Sequence, residues 1–302
     1  MSSTKQQQQR VILITGANKG LGFEVIKKLI KEPSSSSNND LILLGSRDLK
    51  RGQDALTQLG SPSNVHLLQL DTSSPESISR AANEIKQKHG GQLDILINNA
   101  GISKMETTVD SARETFATNY YGIKFLNKHF SPLIKENGRI INVSSEVGAW
   151  TLHEMSSDLQ NKYKSSTLTQ EQLDGLVEDF IASIGSKTTE KIGYNAKSPF
   201  LIYGVSKTAL TALTRIEARE WSGAKNVLIL AVCPGYCSTD LNNHGPGSRS
   251  PELGADSILY TVKASHKELE HGKFYQDGQQ KPQSYACTMD FSKLADAANN
   301  KK

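Results

Sequence analysis

Six short apolar runs, each followed by a segment long enough for a helix, constrain this chain more than any other feature. They are Val11–Thr15, Leu41–Leu44, Val65–Leu70, Leu93–Ile97, Arg139–Val143 and Val227–Val232. Their apolar residues run on rather than alternating with polar ones, as in strands covered on both faces. Strands of that kind, separated by helices, predict an α/β fold with a doubly wound parallel sheet and helices on both faces. One such sheet can extend from Val11 to about Gln276, so residues 10–280 are expected to form a single domain. The alternation stops between Ala149 and Asn195, where Leu173, Leu176, Val177, Phe180, Ile181 and Ile184 share one helical face. Residues of about 150–195 are thus a helical insertion, whose apolar face docks on the main domain or receives a partner. Residues 1–9, the Ser/Asn run Ser34–Asp40 and the polar tail 281–302 bury too little apolar surface to offset chain entropy, and 1–9 are expected to be disordered.

Composition removes whole classes of function. Of 302 residues, 36% are apolar, enough for a sizeable core. Lys and Arg number 35 against 31 Asp and Glu, and the net charge of +4 is spread without a basic block. Neither nucleic acid nor a membrane surface is expected as a partner. Three cysteines, Cys233, Cys237 and Cys287, do not make a disulfide framework and fit a reducing compartment. The Gln-rich start lacks an apolar targeting core, and the longest apolar run, Val227–Cys233, is far below the roughly 20 residues of a membrane span. A cytoplasmic protein is expected.

The first run leads into Thr15-Gly16-Ala17-Asn18-Lys19-Gly20-Leu21-Gly22 and then a helical segment. Glycines accept positive φ and admit another backbone closely, so such a turn can set a pyrophosphate against a helix N-terminus. Gly16, Asn18, Lys19, Gly20, Leu21 and Gly22 are therefore candidate cofactor contacts. The second strand ends in Leu44-Gly45-Ser46-Arg47, with Arg51 one helical turn on. A carboxylate at this place favours a free ribose hydroxyl and an Arg favours a 2′-phosphate, so Arg47, Arg51 and Lys19 point to NADPH rather than NADH. The plainer reading is three solvated surface charges, and Asp48 beside Arg47 counts against the phosphate. Asp71, at the end of the third strand, either holds the adenosine or starts a helix. Asn98, Asn99 and Gly101, in Asn98-Asn99-Ala100-Gly101, close the fourth strand beside the cofactor or form a purely structural turn.

Tyr203-Gly204-Val205-Ser206-Lys207 places an ammonium one helical turn from a phenol. A nearby cation lowers a tyrosine's pKa, which suits general acid–base work. The spacing alone is weak, because Tyr120-Tyr121-Gly122-Ile123-Lys124 repeats it. Context separates the two. Asn142-Val143-Ser144-Ser145 ends the fifth strand, and Ser145 can polarise a carbonyl oxygen beside the Tyr203 proton donor. Tyr120 lacks such a serine and is expected to pack in a helix. Asn119 can anchor a water or the backbone near Lys207. Cys233 and Tyr236 follow the sixth strand at the sheet's carboxyl edge, where they line a substrate pocket or are simply packed. No metal motif and no Gly-x-Ser-x-Gly elbow occurs.

Together, Thr-Gly-x-x-x-Gly-x-Gly at 15–22, Asn-Asn-Ala-Gly at 98–101, Asn119, Ser145, Tyr203-x-x-x-Lys207 and Pro234-Gly235 resemble the short-chain dehydrogenase/reductase family over about residues 10–280. The phrases Gly-Ala-Asn-Lys-Gly, Ser-Arg-Asp-x-x-Arg-Gly and Arg-Ile-x-Ala-Arg are most similar to its monomeric NADPH-dependent carbonyl reductases. The resemblance implies a Rossmann-type fold and a reductase acting on small-molecule aldehydes, ketones or quinones. It implies Tyr203 as proton donor, Lys207 on the nicotinamide ribose, Ser145 on the carbonyl, Asn119 in a proton relay, Thr239 against the nicotinamide carboxamide, and Pro234 and Gly235 among the cofactor contacts. It also implies a monomer, since the insertion lies where subunits of tetrameric members pair. Tyr236 stands where Trp is common after Pro-Gly, and the tail has no counterpart. Reduction of an alkaloid or terpenoid ketone is one alternative, and a non-catalytic NADPH-sensing scaffold is another. A nucleotide sugar epimerase also uses Tyr-x-x-x-Lys, but its usual glycine spacing is absent.

Overall fold

The computed structural model describes residues 9–31, 40–104, 106–221 and 225–287. Residues 1–8, most of the Ser/Asn run and the tail beyond 287 lie outside these. Six strands follow the predicted runs: β1 (Val11–Ile14), β2 (Leu41–Ser46), β3 (Val65–Gln69), β4 (Leu93–Asn98), β5 (Ile134–Val143) and β6 (Leu228–Cys233). Two more, β7 (Phe274–Gln276) and β8 (Gln279–Lys281), were not legible in the sequence. The sheet runs β3-β2-β1-β4-β5-β6-β7-β8. All neighbours are parallel except β7 and β8, which form a hairpin whose two turn residues, Asp277 and Gly278, have φ of 50° and 78°. That pair of positive values is the turn geometry that matches strand twist in a two-residue hairpin.

Among the described residues, ten helices flank the sheet: α1 (Gly20–Lys31), α2 (Leu49–Gln58), α3 (Pro75–Lys88), α4 (Val109–Phe116), α5 (Ile123–Phe130), α6 (Glu146–Glu154), α7 (Ser157–Lys164), α8 (Gln170–Ser186), α9 (Leu201–Glu220) and α10 (Pro251–Lys263). Successive strand residues point to opposite faces. Thus Ile12, Ile14, Ile42, Ile97 and Val232 pack with Val25 and Ile26 of α1 and Ile258 of α10. Leu13, Leu43, Leu96 and Ile229 pack on the other face with Ile85 of α3 and Leu126 and Phe130 of α5. The continuous apolar runs are explained by this two-sided burial.

The insertion builds its own apolar cluster. Leu173, Val177, Phe180 and Ile181 of α8 bury against Phe116, Tyr120, Val205 and Leu213. A capping box, with Thr169 and Gln172 satisfying each other's backbone, starts α8. Polar clamps follow: the Tyr120 hydroxyl donates to Asp174 at 2.8 Å, the Tyr121 hydroxyl to Glu178 at 2.6 Å, and Lys124 pairs with Asp174 at 2.5 Å. Tyr120 is therefore packed, within a π-helical turn at Ala117–Gly122 that joins α4 to α5.

One polar seam runs through the core beneath the carboxyl edge of β4 and β5. Asn98 Nδ2 donates to Asn127 Oδ1 at 2.6 Å and to Asn142 Oδ1 at 2.7 Å. Asn142 Nδ2 donates to the Thr214 hydroxyl at 2.9 Å, and Asn127 Nδ2 to Glu217 Oε2 at 2.8 Å. Glu217 is 1% exposed, and burial pushes its carboxyl up to about 8.

Candidate active site

A cleft of about 570 Å³ opens over the carboxyl ends of β1, β2, β4, β5 and β6, where ligands bind in open sheets of this type. The glycine turn after β1 forms its floor. Gly16 has φ of 61°, and a side chain there would lie 2.9 Å from Ala100 Cα. A side chain at Gly22 would meet the Asn99 amide at 2.6 Å. Both positions need glycine for close approach. The Thr15 hydroxyl accepts from the Asn99 and Ala100 backbone N–H groups at 3.0 and 2.9 Å, and the Asn99 amide donates to the Thr15 carbonyl at 2.9 Å. The first and fourth strand ends are thereby locked together, leaving Gly16, Asn18, Lys19, Gly20 and Leu21 on the cleft wall.

At one end of the cleft stand Arg47, Arg51 and Asp71. Both arginines are exposed. Asp48 caps α2, its carboxylate accepting from the Arg51 backbone N–H at 2.9 Å, which holds that carboxyl below its usual range. The carboxylate that counted against a 2′-phosphate is thus engaged in a cap. Asp71 accepts from the Ser73 N–H and hydroxyl at 2.9 and 2.7 Å, while Ser74 is the residue that caps α3. Lys19 does not join the two arginines: its ammonium pairs with Asp240 at 2.6 Å. Asn98 faces the polar seam described above rather than the cleft, whereas Asn99 and Gly101 line it.

Tyr203, Lys207, Pro234 and Thr239 lie at the other end. Tyr203 and Lys207 sit one turn apart near the start of α9, with the ammonium 5.6 Å from the centre of the phenol ring. Lys207 is 4% exposed and donates to the Val143 carbonyl at 2.8 Å. Burial lowers it to about 8. Burial also raises the Tyr203 phenol well above its ordinary value, and a hydrogen bond with the Ser145 hydroxyl only partly opposes this. The sequence argument expected the neighbouring cation to lower the phenol. In the folded chain desolvation is the largest influence, and what opposes it is the Ser145 hydrogen bond, not the ammonium 5.6 Å from the ring centre.

Ser145 begins α6, its hydroxyl accepting from the Val147 N–H at 3.2 Å. Asn119 sits in the π-helical turn, where the extra residue per turn carries its amide across to Ile102: Nδ2 donates to the Ile102 carbonyl and Oδ1 accepts from its N–H, both at 2.9 Å. A side chain on Gly101 would come 3.4 Å from Asn119 Oδ1 and 3.6 Å from Lys207 Nζ. Asn119, Gly101 and Lys207 are thus adjacent.

Cys233 is 1% exposed, and its sulfur accepts from the Glu146 and Gly235 N–H groups, both at 3.2 Å. Burial pushes that thiol up to about 12. Tyr236 leans on the loop ahead of α10, its hydroxyl standing where a Gly245 side chain would be. Ser145, Cys233 and Tyr236 are not among the residues lining the cleft; of the three, Ser145 is hydrogen-bonded to Tyr203, which does line it.

A cleft lined by a glycine turn, two arginines, and a tyrosine and lysine, the tyrosine hydrogen-bonded to Ser145, suits a dinucleotide and a substrate receiving a proton. The chain matches the short chain dehydrogenase family over residues 10–166. It is 38% identical over 274 residues to a protein of Bos taurus named carbonyl reductase [NADPH] 1, covering 87% of this chain and 95% of that one. It superposes on the structure of salutaridine reductase from Papaver somniferum with a TM-score of 0.76 at 26% identity, over 88% of this chain and 99% of that one. Menthone neomenthol reductase from Mentha piperita gives 0.71 at 28% identity, over 88% and 98%. The chain belongs to the short-chain dehydrogenase family.

Proposed function

We propose that this protein is an NADPH-dependent carbonyl reductase, converting aldehydes, ketones or quinones to alcohols or hydroquinones. The observation that carries this is the placement of Tyr203 and Lys207 in a cleft that also presents Arg47 and Arg51, with Ser145 reaching it through a hydrogen bond with Tyr203. The cleft fits the dinucleotide: Gly16, Asn18, Gly20 and Leu21 line it where the glycine turn opens α1, whose N-terminus suits a pyrophosphate. Gly16, Asn18, Gly20 and Leu21 would receive the pyrophosphate, and Arg47 and Arg51 the 2′-phosphate. Asp71, Asn99 and Gly101 would flank the adenosine and central portions, and Pro234 and Thr239 the nicotinamide. NADPH, when bound, supplies the hydride for the carbonyl carbon.

The chain's own groups handle the oxygen. The Ser145 hydroxyl polarises it, and Tyr203 gives it a proton as negative charge develops. A phenol raised by burial is protonated at neutral pH, the state reduction requires. Lys207, charged below about pH 8, supports the tyrosinate that remains. Asn119, bridging Ile102 beside Lys207, shapes the route by which Tyr203 is reprotonated. The salutaridine and menthone neomenthol reductase likenesses favour a second reading within this class, a single alkaloid or terpenoid ketone as substrate.

The protein is further proposed to be one domain and a monomer, because α8 covers α4, the π-helical turn and α9 with its own apolar face. Reduced thiols at Cys233 and Cys237 suit a cytoplasmic location. No described helix is long and apolar enough to cross a membrane. Following NADPH absorbance against a panel of quinones, aromatic aldehydes and cyclic ketones tests the function: carbonyl-dependent oxidation supports it, and binding of NADPH with no turnover on any of them favours the scaffold reading instead.

A further inference from the structure

The segment after β6 carries Pro234, Ser238, Thr239, Asp240 and Leu241 onto the cleft wall, yet it leaves the sheet and has no regular structure before α10 except a 3-10 turn at Asp240–Asn242. Its fixed point is one carbonyl. The Pro234 oxygen accepts from Arg249 Nε at 2.9 Å, from Arg249 Nη2 at closer range, and from the Cys237 thiol at 3.1 Å. Arg249 lies fifteen residues along the chain from that proline.

Gly235 explains how the guanidinium reaches it. Its φ is 76°, and a side chain there would fall 2.6 Å from Arg249 Nε and 2.7 Å from Cζ. The guanidinium fills the volume that glycine leaves open. The backbone of Arg249 also closes the loop, donating to the Tyr236 carbonyl at 2.8 Å and accepting from the Ser238 N–H at 2.9 Å. The outer edge of the guanidinium meets both Asp277 carboxylate oxygens, at 3.0 and 2.9 Å. Such a two-point pairing fixes the plane of the group as well as its charge. Asp277 is the turn of the β7–β8 hairpin, and its N–H donates to the Ser257 hydroxyl, which donates in turn to the Cys233 carbonyl, both at 2.8 Å. The hairpin that the sequence did not reveal thus delivers the counter-ion.

We propose that Arg249, oriented by Asp277, is a positioning residue for the nicotinamide half of the dinucleotide, acting through the Pro234 carbonyl. It touches no reacting atom. It sets the path of residues 234–239, so that the nicotinamide meets a preformed wall instead of ordering a loop on arrival. The proposal rests on the dinucleotide reading given above, and the two are separable. Adenosine 2′,5′-bisphosphate carries only the end that Arg47 and Arg51 would hold, far from Pro234, whereas NADPH spans the whole cleft.

The experiment measures dissociation constants for NADPH and for adenosine 2′,5′-bisphosphate in the parent, Arg249→Met, Arg249→Lys and Asp277→Asn. Losing charge-assisted bonds to Pro234 weakens NADPH about tenfold in Arg249→Met and leaves the bisphosphate within about twofold. Arg249→Lys keeps a single donor and recovers part of the loss, to about threefold. Asp277→Asn gives a similar partial loss, again for NADPH alone. Equal weakening of both ligands in Arg249→Met overturns the proposal, because the residue then supports the fold at large. Unchanged NADPH affinity in Arg249→Met overturns it as well. If the parent binds neither ligand, the dinucleotide reading fails, and this one with it, before any substitution is compared.

Discussion

Replacing Glu217 with Gln tests the claim that the polar seam under β4 and β5 is held together by a neutral acid. Glu217 is 1% exposed and accepts from Asn127 at 2.8 Å. Burial is the main cause that lifts it from 4.5 to about 8; Glu220 adds to the rise, while the Asn127 hydrogen bond and Lys124 oppose it. A group whose folded value is raised contributes stability that is complete below its unfolded value and is lost as pH climbs through the folded one. At roughly 1.36 kcal/mol per pH unit, the interval from 4.5 to about 8 corresponds to about 5 kcal/mol lost, about 3 of it by pH 7. For a chain of 302 residues, an unfolding entropy near 2.1 cal/mol/K per residue turns 3 kcal/mol into about 5 °C of Tm. Glutamine keeps the acceptor for Asn127 and cannot ionise. Thermal melts followed by circular dichroism should therefore give Glu217→Gln a Tm within about 1 °C of the parent at pH 5 and about 5 °C above it at pH 7. Lys207, lowered from 10.5 to about 8, works in the opposite sense, adding stability as pH rises through 8 and beyond. It is common to both proteins and cancels in the difference. A Tm difference that stays constant from pH 5 to 8 refutes the neutral-acid reasoning.

Two further outcomes are expected from the same geometry. Arg47→Ala should weaken NADPH by about tenfold while leaving NADH unchanged, because only the former carries the 2′-phosphate that a cation would hold; equal affinity of the parent for both cofactors would defeat the cofactor argument. The kcat/KM for NADPH reports the free enzyme's ionisations, so it should fall as pH rises through about 8 and Lys207 loses its charge; a level profile from pH 6 to 9 would contradict this.

The parts of the fold legible in the sequence are those where local pattern and tertiary burial agree. Ile12 to Ile14 and Leu228 to Val232 are covered on both faces, so every position must be apolar and the strand declares itself. β7 and β8 do not: each is three residues long, and Gln279–Lys281 is wholly polar, so only the turn at Asp277 and Gly278 makes them pair. The face of α8 was legible from helical spacing, whereas α7, with only Leu159 and Tyr163 buried, was not. In the site, the phenol and ammonium of Tyr203 and Lys207 are neighbours by helical spacing alone. The Arg249–Asp277 pair spans 28 residues of chain and leaves no local trace. Glu217 was hidden for a different reason: within Thr214-Arg215-Ile216-Glu217-Ala218-Arg219 it reads as part of a solvated helix face, and only the fold, which brings it to Asn127 of α5, reveals it as buried. Lys19 shows the converse limit. Its place in the glycine turn was legible, but not its pairing with Asp240, which approaches from the loop after β6.

The most direct test of the proposed chemistry is Tyr203→Phe, assayed for reduction of a quinone and an aromatic aldehyde alongside a titration with NADPH. Removing a positioned proton donor should lower kcat by about a thousandfold, while the dissociation constant for NADPH stays within about twofold because the glycine turn and the arginines are untouched. A variant that reduces both carbonyls at the parent's rate would show that the proton comes from elsewhere and that Tyr203 is not the acid.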